Sequence, residues 1–153
     1  MRRYVFDTNI FRYASSDEEF ADRVLAYSPL AYSSVVLSEL RRSATNEAAR
    51  ERVASIVKAA HRSPNQVNPS FADWLRVGEY LEGQLPVGKK PSAEALTLLR
   101  KTQNDALIAF STWARGYIVV TCNRADFEPL AAFFKPAAKS LVVEMAPAVA
   151  TLP

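Results

Sequence analysis

The chain has 153 residues, with 19 Lys and Arg against 16 Asp and Glu, a formal charge of +3 and 49% hydrophobic residues. That length lets one domain bury about 70% of its unfolded surface without staples, and the single Cys122 excludes an intramolecular disulfide. There is no basic-then-apolar leader and no run of about 18 apolar residues, so a membrane role is set aside and a reducing cytoplasm is the expected location. The basic excess is mild, with a pI near 9.1. It still suits a polyanionic partner, because acids gathered in one cleft would leave the remaining surface more basic than the total suggests.

Residues 3 to 6 place Tyr4, Val5 and Phe6 in succession with no Gly or Pro, which predicts a strand buried on both faces, as at the centre of a parallel sheet. The run stops at Asp7-Thr8-Asn9. Ligands bind at the carboxyl edge of such sheets, which makes Asp7 a site candidate, while all three residue types also cap helices; at this point both readings stand. Ser16-Asp17-Glu18-Glu19 has a capping-box pattern, and Phe20, Val24, Leu25 and Tyr27 follow at helical spacing. After Pro29, Leu30-Ala31-Tyr32 predicts a second strand. Ser33 or Ser34 can cap a helix through Val35, Val36, Leu37 and Leu40, with Glu39 just over one turn in. Asn46 opens another helix, with Val53, Ile56 and Val57 on one face and Arg50, Arg52 and Lys58 on the rest. Gln66-Val67-Asn68 reads as a brief edge strand, and Ser70 to Asp73 as the cap of a helix carrying Phe71, Trp74, Leu75 and Leu81, closed by Gly83.

Gln84 to Pro91, with two prolines and a glycine, is the clearest loop in the chain. Ser92 caps a helix bearing Leu96, Leu98 and Leu99, and a further helical stretch runs from about Asn104 to Arg115 and stops at Gly116, with Asp105 in its first turn. Tyr117 to Thr121 is a buried-looking strand that delivers Thr121-Cys122-Asn123-Arg124-Ala125-Asp126-Phe127. A short helix through Leu130 and Phe134 leads to a last strand at Leu141-Val142-Val143. The expected organisation is a single domain over residues 1–144, with a Pro- and Ala-rich, poorly ordered tail at 145–153. Strands alternating with helices argue for an α/β sandwich, a mainly parallel sheet covered on both faces by helices, with its site along one sheet edge.

Four acids stand out by position: Asp7 after the first strand, Glu39 after the second, Asp105 on the helix before the fourth strand, and Asp126 just past that strand. Clustered carboxylates raise one another's pKa and persist mainly around a cation. Oxygen ligands without His or Cys select Mg²⁺ or Mn²⁺ over zinc, and a hard ion held that way suits phosphodiester hydrolysis.

The segments Val5-Phe6-Asp7-Thr8-Asn9, Tyr32 to Leu40, Asn104-Asp105-Ala106-Leu107-Ile108-Ala109 and Val120 to Phe127 resemble the motifs of PIN domains, in order and approximate spacing. The resemblance covers nearly the whole chain and is most similar to the VapC-type toxins of bacterial toxin–antitoxin pairs. It implies a Rossmann-like three-layer sandwich and a metal-dependent endoribonuclease using Mg²⁺ or Mn²⁺. It further implies inhibition by a small cognate antitoxin, and a homodimer is expected. Asp7, Glu39 and Asp105 match the core acids, Asp126 the more variable fourth, and Thr8, Thr121 and Asn123 the polar residues that orient acids and water. Phe110 departs from the family's usual alanine, and the approach from 84 to 103 is longer, which bears on packing and substrate fit.

Plainer roles compete for each residue. Glu39 is a solvated helix residue if the motif is fortuitous, Asp105 a first-turn acid favouring the helix dipole, and Asp126 a turn residue. Arg12, Arg41, Arg42, Lys101 and Arg124 are candidate phosphate contacts, Arg12, Arg42 and Arg124 foremost, although most arginines are surface charge. His61 is expected to face solvent, Cys122 lacks a His as its base, and Trp74 and Trp113 are expected in the core. Three other readings compete, the last of them a binding module without catalysis. A haloacid-dehalogenase-type phosphatase needs a second aspartate where this chain has Asn9. A receiver domain needs a paired acid and a late lysine. A catalytically silent PIN module would bind RNA or a protein partner only.

Overall fold

Five strands form one parallel sheet in the computed structural model, which describes residues 2–85, 87–88, 90–134 and 141–146. They are β1 (Tyr4–Phe6), β2 (Leu30–Ser33), β3 (Gln66–Val67), β4 (Ile118–Thr121) and β5 (Val142–Met145), in the spatial order β3-β2-β1-β4-β5. Seven helices among the described residues connect them: α1 (Thr8–Ala14), α2 (Glu18–Val24), α3 (Ser34–Ser43), α4 (Glu47–Arg62), α5 (Phe71–Glu82), α6 (Ala93–Arg115) and α7 (Arg124–Phe133).

The chain builds outward from β1 to β3 and then returns to place β4 on the other side of β1. The strand order therefore reverses between β1 and β4, the crevice where open α/β sheets bind ligands. Register brings the two strands level, with Tyr4 beside Ile118 and Phe6 beside Val120. Alternation along the strands sends Val5, Ala31 and Val119 into a core with α3 to α7, and Phe6 and Val120 into a second core with Ile10, Phe20 and Val24 of α1 and α2. The result is the three-layer sandwich expected.

Local signals account for most boundaries. Asp17 caps α2 by accepting from Phe20 N–H at 2.9 Å, one residue later than the Ser16 start of the sequence pattern. Asn46 caps α4, and Ser70 with Asp73 closes a capping box on α5. Gly116 ends α6 in the left-handed region at φ 69°, which only glycine adopts without strain. Gly83 is also a C-cap, but at φ −63° its conformational freedom is unused. Ser33 occupies the N-cap position of α3 with no side-chain bond to the helix, and its buried hydroxyl has no partner.

Three expectations are corrected. The two helices anticipated between Ser92 and Gly116 are one 23-residue helix, because no Gly or Pro interrupts 93–115. Asp105 consequently lies mid-helix, and the first-turn dipole role falls away. On α5 the buried face is Asp73, Val77 and Tyr80, while Phe71 and Trp74 are 80% and 49% exposed, so Trp74 is not a core residue. Trp113 does pack inward, stacked on Phe134 with ring centroids 4.7 Å apart. Phe110, the departure from the family pattern, is fully buried against Tyr80, Phe133 and Phe134. β5 extends through Met145, and Ala146 donates its N–H to Thr121 O; residues 147–153 of the expected tail lie outside the described residues. No helix among the described residues is long and apolar enough to cross a membrane.

Candidate active site

At the end of β1 the chain must turn immediately into α1, and Asp7 is the residue on the corner. Its N–H donates to Val120 O at 2.9 Å, which fixes it beside the end of β4, and one carboxylate oxygen caps α1 by accepting from Thr8 N–H at 2.6 Å. Both roles the sequence left open are therefore filled at once, helix cap and strand-end acid. The other oxygen accepts from Asn9 Nδ2 at 2.6 Å and from the Thr121 hydroxyl at 2.8 Å.

The Thr121 hydroxyl, fully buried, is a junction. It donates to Asp7 and accepts from Asn9 Nδ2 at 3.1 Å and from Asn123 N–H at 2.9 Å, so its single proton and both lone pairs are in use. Asn9 Oδ1 in turn accepts from Cys122 N–H at 3.1 Å. Two strand ends and one helix start are thus tied through three side chains. Of these, Asn9 was part of the sequence motif without an assigned role.

Glu39 reaches the same edge from α3, held by the Thr8 hydroxyl on one oxygen and by Asn104 Nδ2 at 2.7 Å on the other. Asn104 is a second side chain that sequence reasoning passed over, although it directly precedes Asp105. Asp126, in the first turn of α7, accepts from Asn123 Nδ2 at 2.7 Å.

Beyond burial, Glu39 and Asp126 raise the carboxyls of both Asp7 and Asp105, and Asp7 raises Asp105 further, so the acids lie within electrostatic reach of one another. Asp7 is 6% exposed, and its carboxyl is raised from 3.8 to about 6, chiefly by burial, with Glu39 and Asp126 adding repulsion against the lowering effect of its hydrogen bonds. Asp105 goes from 3.8 to about 7, again chiefly by burial and then by the charges of Asp7, Asp126 and Glu39. Only Lys101, one turn earlier on α6, pulls the other way. Burial and the Asp7 charge push the Cys122 thiol up to about 11, so it is no thiolate at neutral pH.

The donors fit a hard cation in kind: oxygen throughout, buried enough that ionisation is costly, and short of compensating positive charge. In placement they do not yet enclose one. Among the described residues no group of three His, Cys, Asp or Glu stands at metal-binding spacing. Glu39 is engaged by Thr8 and Asn104, and Asp126 by Asn123.

The expected phosphate contacts are scattered. Arg42 lines a cleft with Trp74 and Asn104, Arg12 a separate groove with Leu40 and Ile56, and Arg124 is ion-paired to Glu128 at 3.2 Å. His61 is exposed.

No family model matches the chain, and no curated protein does. Solved structures do. The chain is similar to a DNA-bound VapBC from Salmonella typhimurium, at 23% identity over 96% of this chain and 100% of the other, with a TM-score of 0.58. VapBC-1 from nontypeable Haemophilus influenzae gives 20% identity over 94% and 97%, with a TM-score of 0.59. VapBC-5 from Mycobacterium tuberculosis, of the VapBC family of toxin–antitoxin systems, gives 20% over 97% and 100%, with a TM-score of 0.52. The chain therefore has the fold seen in these VapBC toxin–antitoxin structures, the PIN-like α/β sandwich that its four acid-bearing motifs resemble.

Proposed function

We propose that this protein is a metal-dependent endoribonuclease, the toxin of a toxin–antitoxin pair, hydrolysing RNA phosphodiester bonds at the edge where β1 and β4 meet. The observation that carries the reading is the convergence of four acids in which burial and mutual repulsion hold Asp7 and Asp105 near neutrality. Such a cluster costs stability and is retained for chemistry that needs it. Asp7 and Asp105 would hold Mg²⁺ or Mn²⁺, with Glu39 and Asp126 completing the oxygen set. When bound, the ion supplies a lowered pKa for the attacking water and neutralises charge at the leaving oxygen.

The remaining residues position. Thr121 and Asn9 fix the Asp7 carboxylate, Thr8 and Asn104 aim Glu39, and Asn123 holds Asp126 at the rim. The solved relatives are complexes with antitoxins, which supports a small antitoxin as the partner of this chain too. A homodimer fits the exposed Phe71, Trp74 and Leu75 at the start of α5. Such a pair would act in the cytoplasm.

One observation favours a second reading, a silent module that binds RNA or protein: Glu39 and Asp126 are already engaged by neighbouring side chains. Cleavage of total RNA by the purified protein, with Mg²⁺ or Mn²⁺ against excess EDTA and with Asp7→Asn as control, separates them. Metal-dependent cutting lost in the variant is the expected result. Cutting that survives EDTA, or equal products from both proteins, refutes the nuclease reading.

A further inference from the structure

Asp105 and Asp126 line a cleft of about 270 Å³ beside α6, and among the described residues Lys101 is the one cationic side chain that lines it with them. The other basic candidates are elsewhere: Arg42 and Arg12 line different clefts, and Arg124 is held by Glu128 at 3.2 Å. Lys101 lies four residues before Asp105 on α6, about 6 Å along the axis, so both side chains project from one face of the helix. It is exposed and in no ion pair among the described residues, so its charge acts on the acids through space rather than by a fixed contact. From this placement we infer that Lys101 is the internal counter-charge of the acid cluster. Its ammonium offsets Asp105 while the site is empty and opposes the entry of a divalent cation, and it thereby sets the metal concentration at which the site loads. The inference deepens the nuclease reading and rests on its metal site.

The two effects follow from one charge. Burial and the charges of Asp7, Asp126 and Glu39 all disfavour an ionised Asp105, and Lys101 alone favours it. The same ammonium that stabilises the empty cluster repels the cation that would replace it. Deleting the charge therefore acts in opposite directions, lowering the stability of the empty fold and raising its affinity for a hard cation. A lysine that served only by packing its methylenes along α6 would give the first change without the second. One that only gripped a substrate phosphate would give neither in the absence of RNA.

Lys101→Met keeps an unbranched stem and a good helix former and removes the charge. Lys101→Arg keeps the charge, and Lys58→Met removes one from exposed α4, away from the cleft. Melts in EDTA at pH 8 and low salt compare Lys101→Met in the wild-type and Asp105→Asn backgrounds. It should lower the melting temperature by about 1–2 °C in the first, the size of an exposed ion pair, and leave it unchanged in the second. Mn²⁺ affinity is read without RNA from the electron paramagnetic resonance of the free ion. It should rise at least about threefold in Lys101→Met, one ammonium acting across a turn of helix in water, and stay within about twofold of wild type in Lys101→Arg and Lys58→Met. Equal melting losses in both backgrounds, or Mn²⁺ bound no tighter by Lys101→Met, overturns the inference. Tighter Mn²⁺ binding with the expected melts but no RNA cleavage supports it while defeating the nuclease reading. Metal-dependent cleavage with Mn²⁺ affinity unchanged in Lys101→Met defeats the inference alone, and absence of Mn²⁺ binding in every variant overturns both.

Discussion

Asp105 is the side chain whose surroundings serve it worst, and its replacement has a calculable sign. Its carboxyl loses a proton near 7 in the fold against 3.8 in the reference state. Between those values the folded protein holds more protons than the unfolded chain, so this group's effect on stability worsens as pH rises from about 4 and is complete above 7. Asp105→Asn nearly keeps the shape and removes the charge. The metal-free variant should melt with the wild type near pH 4 and several degrees above it at pH 8, one kcal/mol being about 3 °C for a chain of this size, while cleavage falls by orders of magnitude. Thermal melts in EDTA across that range check it; a variant melting below wild type at pH 8 would make Asp105 structural. Thr121→Val should act oppositely. It removes a buried hydroxyl with three partners, leaving Asn123 N–H without its acceptor while the facing Asp7 oxygen and Asn9 Nδ2 keep only each other, at about 1–3 kcal/mol, and it loosens Asp7, so chemical denaturation and cleavage should both report the loss.

At the scale of elements, α6 shows what local pattern can and cannot say. Asn104 and Asp105 look like a helix start because both residue types cap helices, yet with no Gly or Pro in 93–115 the helix simply continues. The strands were legible because β1 and β4 are short, uninterrupted apolar runs ending in polar residues, and Asp7 because it directly follows the first of them. Periodicity alone misplaced the buried face of α5, since Phe71, Trp74 and Leu75 share a stripe as regular as that of Val77 and Tyr80. Asn9 and Asn104 stood in the motifs without a positioning role because that role depends on partners far along the chain: Asn9 joins nearby Asp7 to Thr121, and Asn104 bonds Glu39. Asn104→Ala should free Glu39 and lower cleavage at unchanged fold, whereas Gly116→Ala, at a left-handed C-cap, should cost about 1 kcal/mol of stability and leave cleavage intact. Circular dichroism melts set beside turnover distinguish the two; a Gly116→Ala protein as stable as wild type would mean that the α6 terminus relaxes.

For the whole molecule, a cluster of acids and a bound cation make opposite demands on pH. Without metal, Asp7 and Asp105 lose their protons in the fold at about 6 and about 7, both above 3.8, so their joint contribution makes the protein less stable at pH 8 than at pH 5. A hard cation binds the ionised carboxylates of the folded state and releases those protons, so its stabilisation is small at pH 5 and grows as both groups ionise. At about a hundredfold excess over its dissociation constant it should contribute roughly 2.7 kcal/mol, enough to flatten or reverse the metal-free slope. The measurement is a set of melts at pH 5, 6.5 and 8, with EDTA and across a Mg²⁺ titration, for wild type and Asp105→Asn. The Mg²⁺-induced rise should increase with pH in the wild type and be mostly lost in the variant. A rise independent of pH, or one that Asp105→Asn retains in full, would place any bound ion away from this cluster and remove the basis for the nuclease reading.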